Sequence, residues 1–256
     1  MTSAPTYPPA RNLLAGKTVL ITAAAGTGIG FATAKRAVEE GARVVVSDIH
    51  ERRLGEAVEQ LGPNAHAVLG NVTDEDDVQR LVASAVEYGG GQLDVLVNNA
   101  GLGGTATLAE MTDQQWSSVL DVTLTGTMRM TRAALRHMRE QQSGAIVNNA
   151  SVVGWRAQEG QSHYAAAKAG VMALTRCAAL EAAADNVRIN AVAPSLAMHP
   201  FLAKVTTEEL LAELETKEAF GRAAEPWEVA NVIIFLASDL ASYMTGEVIS
   251  VSSQHP

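Results

Sequence analysis

Tyr164 and Lys168 stand four positions apart in a stretch of helical period, and Ser151 follows the apolar run that precedes it. Side chains four apart on a helix share a face, so the phenol and the ammonium reach a common point. A free phenol titrates near ~10 and is a poor base at neutral pH, but a neighbouring ammonium favours its phenolate. Such a trio suits proton transfer at a hydroxyl or carbonyl oxygen. Tyr164 would give or take the proton, Ser151 would polarise the same oxygen, and Lys168 would stabilise the tyrosine's charge. A Tyr and a Lys at this spacing also arise by chance on Ala-rich helices, so the reading depends on what surrounds them.

A second group lies near the start of the chain, in Thr22-Ala-Ala-Ala-Gly26-Thr-Gly28-Ile29-Gly30, between a β-type run and a helical segment. Glycines permit close backbone approach, and the free amides of a helix start attract a pyrophosphate. A tight turn without a ligand is the alternative; the strand-turn-helix order favours a dinucleotide. The next β-type run ends at Asp48, where a carboxylate accepts from ribose hydroxyls and repels a 2′-phosphate. This favours NAD over NADP, although His50, Arg52 and Arg53 follow and could reverse the preference, and Asp48 could instead cap a helix. After the fourth run comes Asn98-Asn99-Ala100-Gly101, a pair of amides as suited to tying strand ends together as to touching a cofactor.

The elements that must position these groups are legible from periodicity. Seven short β-branched runs, at Thr18–Thr22, Arg43–Asp48, Ala65–Leu69, 94–97, 145–149, 188–192 and 247–251, alternate with helical segments beginning near Ile29, Glu51, Asp74, Thr112, Ser162 and Glu225. The pattern predicts an α/β chain with one doubly wound, Rossmann-type parallel sheet of about seven strands and helices on both faces. Residues 1–13 read as a flexible leader, residues 14–256 as a single domain, and residues 195–220 as a substrate lid.

The 256 residues are 47% hydrophobic and 18% charged with 4% aromatics, which predicts a sizeable aliphatic core. A formal charge of −9 disfavours nucleic acid and anionic membranes and fits a small-molecule or protein-borne substrate better. The single Cys177, in an apolar pattern that suggests burial, excludes an intrachain disulfide and makes the cytoplasm the default. Six scattered histidines without ligand spacing predict no metal.

Taken jointly and in order, the glycine turn, Asn98-Asn99-Ala100-Gly101, Ser151 and Tyr164-Ala-Ala-Ala-Lys168 resemble the short-chain dehydrogenase/reductase family across nearly all of residues 14–251. The resemblance implies a hydride transfer between a nicotinamide cofactor and a secondary alcohol or ketone, with Ser151, Tyr164 and Lys168 catalytic. It places Gly26, Gly28, Ile29, Gly30, Asp48, Asn71, Val72, Asn99, Ala100, Gly101, Pro194, Tyr164 and Lys168 at the cofactor. Leu102, Met198, His199 and Phe201 become substrate-pocket candidates. It also implies a homotetramer built through the helices near residues 113–138 and 162–184.

Several positions depart from the family pattern: Ala23 in the glycine loop, Asn71 for a usual Asp, Ser195, Met198-His199, Ser252-Ser253, and Thr123 where an Asn helps anchor a relay water. Thr123 remains a possible relay, but one hydroxyl cannot reproduce both functions of an amide. These departures resemble an actinobacterial branch acting on steroid-derived or fatty acyl-CoA compounds, which implies a CoA thioester substrate. Arg129, Arg132, Arg136 and Arg139 could form a basic stripe for such a ligand, or equally a solvated face or a set of salt bridges. A 3-oxoacyl carrier-protein reductase and a non-catalytic cofactor-binding regulator are the competing readings.

Overall fold

The computed structural model describes residues 3–198 and 208–254. Each of the seven β-type runs becomes a strand: β1 (Thr18–Thr22), β2 (Arg43–Asp48), β3 (Ala65–Leu69), β4 (Val95–Asn98), β5 (Gly144–Asn149), β6 (Val187–Pro194) and β7 (Val248–Val251). All neighbours pair in parallel, in the order β3-β2-β1-β4-β5-β6-β7. The strands are apolar on both sides because both sides are covered. Val19 and Ile21 of β1 enter one core, and Leu20 between them enters the other.

The first core packs the sheet against α1 (Ile29–Glu39), α2 (Glu51–Leu61) and α8 (Pro226–Ala237), through residues such as Ala34, Leu54 and Ile233. The second packs it against α3 (Glu75–Tyr88), α5 (Gly126–Gln141) and α6 (Ser162–Ala182), through Leu81, Met130 and Ala178. Local chemistry sets the helix starts. Asp74 accepts from the Asp77 amide ahead of α3, Thr112 and Gln115 form a reciprocal cap ahead of α4 (Asp113–Leu120), and Glu225 with Glu228 does so ahead of α8. Between α4 and α5 the helix widens into a π turn over Asp121–Thr125. A further helix, α7 (Glu208–Thr216), falls within the stretch expected as a lid.

Two expectations are corrected. The leader is held from Tyr7 onward. Arg36 donates to the Pro8 and Pro9 carbonyls at 2.6 and 3.1 Å and pairs with buried Glu40, whose carboxylate accepts from the Arg11 and Leu13 amides. The Tyr7 hydroxyl donates to Glu39 at 2.5 Å, and its ring meets Trp227 edge-on at 5.3 Å. A proline-rich segment lacks helix and strand propensity, yet its carbonyls satisfy a distant guanidinium. Cys177 is exposed, not buried. α6 carries apolar residues all round; its buried positions include Ala167, Lys168, Val171, Met172, Thr175, Ala178, Ala179 and Ala182, and Cys177 falls outside that stripe.

Candidate active site

A strand order that grows outward in both directions from β1 and β4 opens a crevice at their carboxyl ends, the place where such sheets bind ligands. Here it is a cleft of about 810 Å³, walled by the glycine turn, Asp48, Asn99, Gly101, Ser151, Tyr164 and the Pro194–Ala197 segment.

A ladder of buried amides positions the wall that carries Ser151 and Tyr164. Asn98 donates to Asn148 Oδ1 at 2.8 Å and to Thr131 Oγ1 at 2.9 Å, and Asn148 donates to Thr175 Oγ1 at 2.9 Å. The ladder links α5, β4, β5 and α6. One residue further on, Asn149 donates to Asn99 Oδ1 at 2.9 Å, and its carbonyl oxygen accepts from Lys168 Nζ at 2.5 Å. Asn149 also lines the cleft and was not singled out from sequence. A signal existed: Asn148-Asn149-Ala150 repeats Asn98-Asn99-Ala100, and Asn98 and Asn148 pair in register.

Ser151 begins the short turn Val152–Gly154, where its Oγ accepts from the Val153 amide at 3.3 Å. Tyr164, in the first turn of α6, lies close enough to the Ser151 side chain for that group to influence its titration. Lys168 lies one helical turn behind, its Nζ 5.5 Å from the centre of the tyrosine ring. Burial pushes the Tyr164 phenol up, and the Ser151 side chain pulls it partly back. Burial also pushes the Lys168 ammonium down, to about 8. Without ligand, desolvation therefore outweighs the phenolate stabilisation expected from the lysine, and the phenol keeps its proton.

The glycine turn fits a dinucleotide. A Cβ on Gly30 would stand 2.4 Å from Asn99 Nδ2 and 2.6 Å from the Ala23 carbonyl, so only glycine lets α1 begin this close to β4. A Cβ on Gly26 would meet nothing within 4 Å. Ala23 adopts φ +51°, and Asn99 holds it by donating to the carbonyls of Thr22 and Ala23 at 3.1 and 3.0 Å. Gly28 precedes α1 without a side-chain cap, leaving first-turn amides to serve an anion. Asp48 accepts from the Ala25 amide at 3.3 Å and the His50 amide at 3.1 Å, and Arg53 approaches to 3.8 Å. His50, not Asp48, occupies the cap of α2. Burial raises the Asp48 carboxyl, with Ala25 and Arg53 opposing.

Not every expected residue joins this wall. Ile29, Gly101, Leu102 and Pro194 do. Ala100, Lys168 and Thr123 stand behind it. Asn71 turns its carboxamide to the Thr73 amide, Val72 is buried against α5 at Gly126, and neither lines the cleft. Met198 pairs its amide with Ala224 O at 2.9 Å, outside the lining. His199 and Phe201 lie outside the described residues. Thr123 is fully buried; its Oγ1 donates to Leu102 O at 3.2 Å and accepts from Leu102 N at 3.0 Å. In the arginine stripe, Arg129 pairs with Asp121, Arg132 with Glu75 and Arg139 with Asp185. Among the described residues no group of three His, Cys, Asp or Glu could hold a metal, and no helix is long and apolar enough to cross a membrane.

Residues 23–253 match the family profile described as enoyl-(acyl carrier protein) reductase. The chain is 62% identical over 249 residues, 95% of each protein, to the (5R,7aS)-5-hydroxy-7a-methyl-1-oxo-2,3,5,6,7,7a-hexahydro-1H-indene-carboxyl-CoA reductase of Mycobacterium tuberculosis. It is 41% identical to a 3-oxoacyl-acyl-carrier-protein reductase of Thermotoga maritima, over 93% of this chain and 97% of that one. The crystal structure of a short chain dehydrogenase from Mycobacterium smegmatis superposes with a TM-score of 0.88 at 57% identity, covering 99% of both chains.

Proposed function

Since this chain belongs to the short-chain dehydrogenase/reductase family, we propose that it interconverts a ring ketone and a secondary alcohol on a CoA thioester derived from steroid breakdown. The observation that carries the chemistry is the convergence of Tyr164 and Ser151 on one wall of the cleft, with Lys168 directly behind. The nicotinamide cofactor of the family supplies or accepts the hydride when bound. In reduction, Tyr164 Oη donates its proton to the carbonyl oxygen while Ser151 Oγ hydrogen-bonds the same atom; oxidation runs the two steps backwards. Lys168 holds the cofactor's ribose and keeps positive charge beside the phenol.

The proton's onward route bypasses the Thr123 hydroxyl as a donor, because its one hydrogen is committed to Leu102. A carbon placed on Gly101 would lie 3.5 Å from Lys168 Nζ and 3.7 Å from Thr123 Oγ1, so both face the same small space.

Gly26, Gly28, Ile29 and Gly30 hold the pyrophosphate and Asp48 the adenosine ribose, with Asn99 and Gly101 along the way and Pro194 beside the nicotinamide. We assign NAD over NADP: Asp48 points into the cleft, and the nearest cation, Arg53, is already directed at it. The CoA assignment draws on the 62% identical relative, which outweighs the carrier-protein reductase at 41%. The assembled triad speaks against a non-catalytic regulator. A cytoplasmic homotetramer formed through α4, α5 and α6 completes the proposal.

Ring-ketone CoA thioesters assayed beside their free acids, following nicotinamide absorbance, test the substrate. Turnover of the thioester at least tenfold above the free acid is expected. Equal rates, or preference for the carrier-protein ester, would overturn the CoA assignment.

A further inference from the structure

We propose that Glu218 is a positioning residue for the cleft, acting through a bridge built by the C-terminal tail. Glu218 is 4% exposed and has no ion-pair partner among the described residues. Its Oε1 accepts from the Leu196 amide at 3.3 Å and from Gln254 Nε2 at 3.0 Å. Its Oε2 accepts from the Ser253 amide at 3.3 Å and the Ser253 hydroxyl at 2.9 Å. Every one of these donors is neutral, so the buried charge is satisfied by hydrogen bonds alone at its own oxygens.

The compensating charge stands one residue away. Gln254 uses both ends of its amide: Nε2 donates to Glu218, and Oε1 accepts from Arg156 Nη1. Arg156 belongs to the turn that opens at Ser151, its amide bonded to Val152 O at 3.0 Å. Leu196, at the other end, lines the cleft. The bridge Arg156–Gln254–Glu218–Leu196 therefore spans from the loop after β5 to the loop after β6.

Both loops line the cleft, Ser151 from one and Pro194–Ala197 from the other. The backbone adds two ties from the tail, Ala219 N to Ser253 O at 2.7 Å and Ser195 N to Val251 O at 3.2 Å. Glu218 and the tail set how far the Ser151 hydroxyl stands from the Pro194–Ala197 segment. A misplacement of about 1 Å at a reacting centre costs roughly 10²-fold in rate. The role rests on the family's carbonyl chemistry and is independent of the CoA assignment.

Gln254→Ala and Arg156→Ala, separately and together, test the bridge from its less buried end, and Glu218→Gln tests its centre. Hydrogen exchange in cofactor-free protein needs no substrate. Both single variants are expected to raise exchange at least fivefold in residues 151–157 and in 194–198, the double variant matching the singles. kcat/KM should fall about tenfold, with ADP-ribose affinity held within twofold, because the adenosine end lies beyond the bridge. Faster exchange confined to the tail, or additive losses in the double variant, overturns the proposal. So does unchanged kcat/KM in Gln254→Ala. Should Glu218→Gln fail to fold, the other three variants decide.

Discussion

Lys168 Nζ donates to the carbonyl oxygen of Asn149 at 2.5 Å, so the helix that carries Tyr164 is fastened to the strand end that presents Ser151. One ammonium thus serves both position and charge. Burial holds it near about 8, below its ordinary value.

That depression fixes a sign. Below about 8 the lysine is charged in the folded and the unfolded chain, and its burial opposes folding in full. Above that pH the unfolded chain holds the extra proton, so stability rises with pH until the lysine's ordinary titration near ~10.4. Lys168→Met removes this slope. Chemical denaturation from pH 7 to pH 10 should show the wild type gaining on the variant; a constant difference would contradict the buried charge. Turnover in the variant should drop about 10²-fold or more.

Tyr164→Phe removes the hydroxyl proposed to give the proton. kcat is expected to fall about 10²- to 10⁴-fold while cofactor titration is nearly unchanged. Turnover at the wild-type level would remove Tyr164 from the chemistry.

Thr123→Val keeps the shape and loses both bonds to Leu102. Leu102 is exposed, so its freed amide and carbonyl can turn to water; the loss should cost about 1 kcal/mol and raise KM as Leu102 shifts in the pocket wall. Thr123→Ser should restore both properties. Failure of serine to rescue would show that the methyl, not the hydroxyl, carries the role.

Asp48→Asn removes the carboxylate charge proposed to face the 2′ position. Titration with NADH and NADPH should show the NADH preference shrinking about tenfold or more. Tighter NADPH binding by the wild type would overturn the assignment of NAD.

Much of this fold is readable in advance because a parallel sheet buried on both sides demands continuous Val, Ile and Leu, and runs such as Thr18–Thr22 and Arg43–Asp48 have the same bounds in sequence and structure. What escapes is nonlocal. The π turn at Asp121–Thr125 offers Thr123 to Leu102 twenty-one residues earlier, a contact no local period encodes. Asn149 looked like one more strand residue until its carbonyl met Lys168. The Tyr7–Leu13 stretch has no pattern of its own and is ordered by Arg36 and Glu40. Cys177 was misjudged because α6 is apolar beyond its buried stripe, so burial could not be told from composition.

The hold of Asn99 on the Thr22 and Ala23 carbonyls has a consequence for how the chain comes into being. The glycine turn leaves the ribosome more than seventy residues before the amide that fixes its shape. An early nascent chain can assemble β1, α1 and β2, but its glycine turn stays unset until β4 docks beside β1. The shape of that turn is thus acquired only once the fourth strand has been made, as a product of strand pairing.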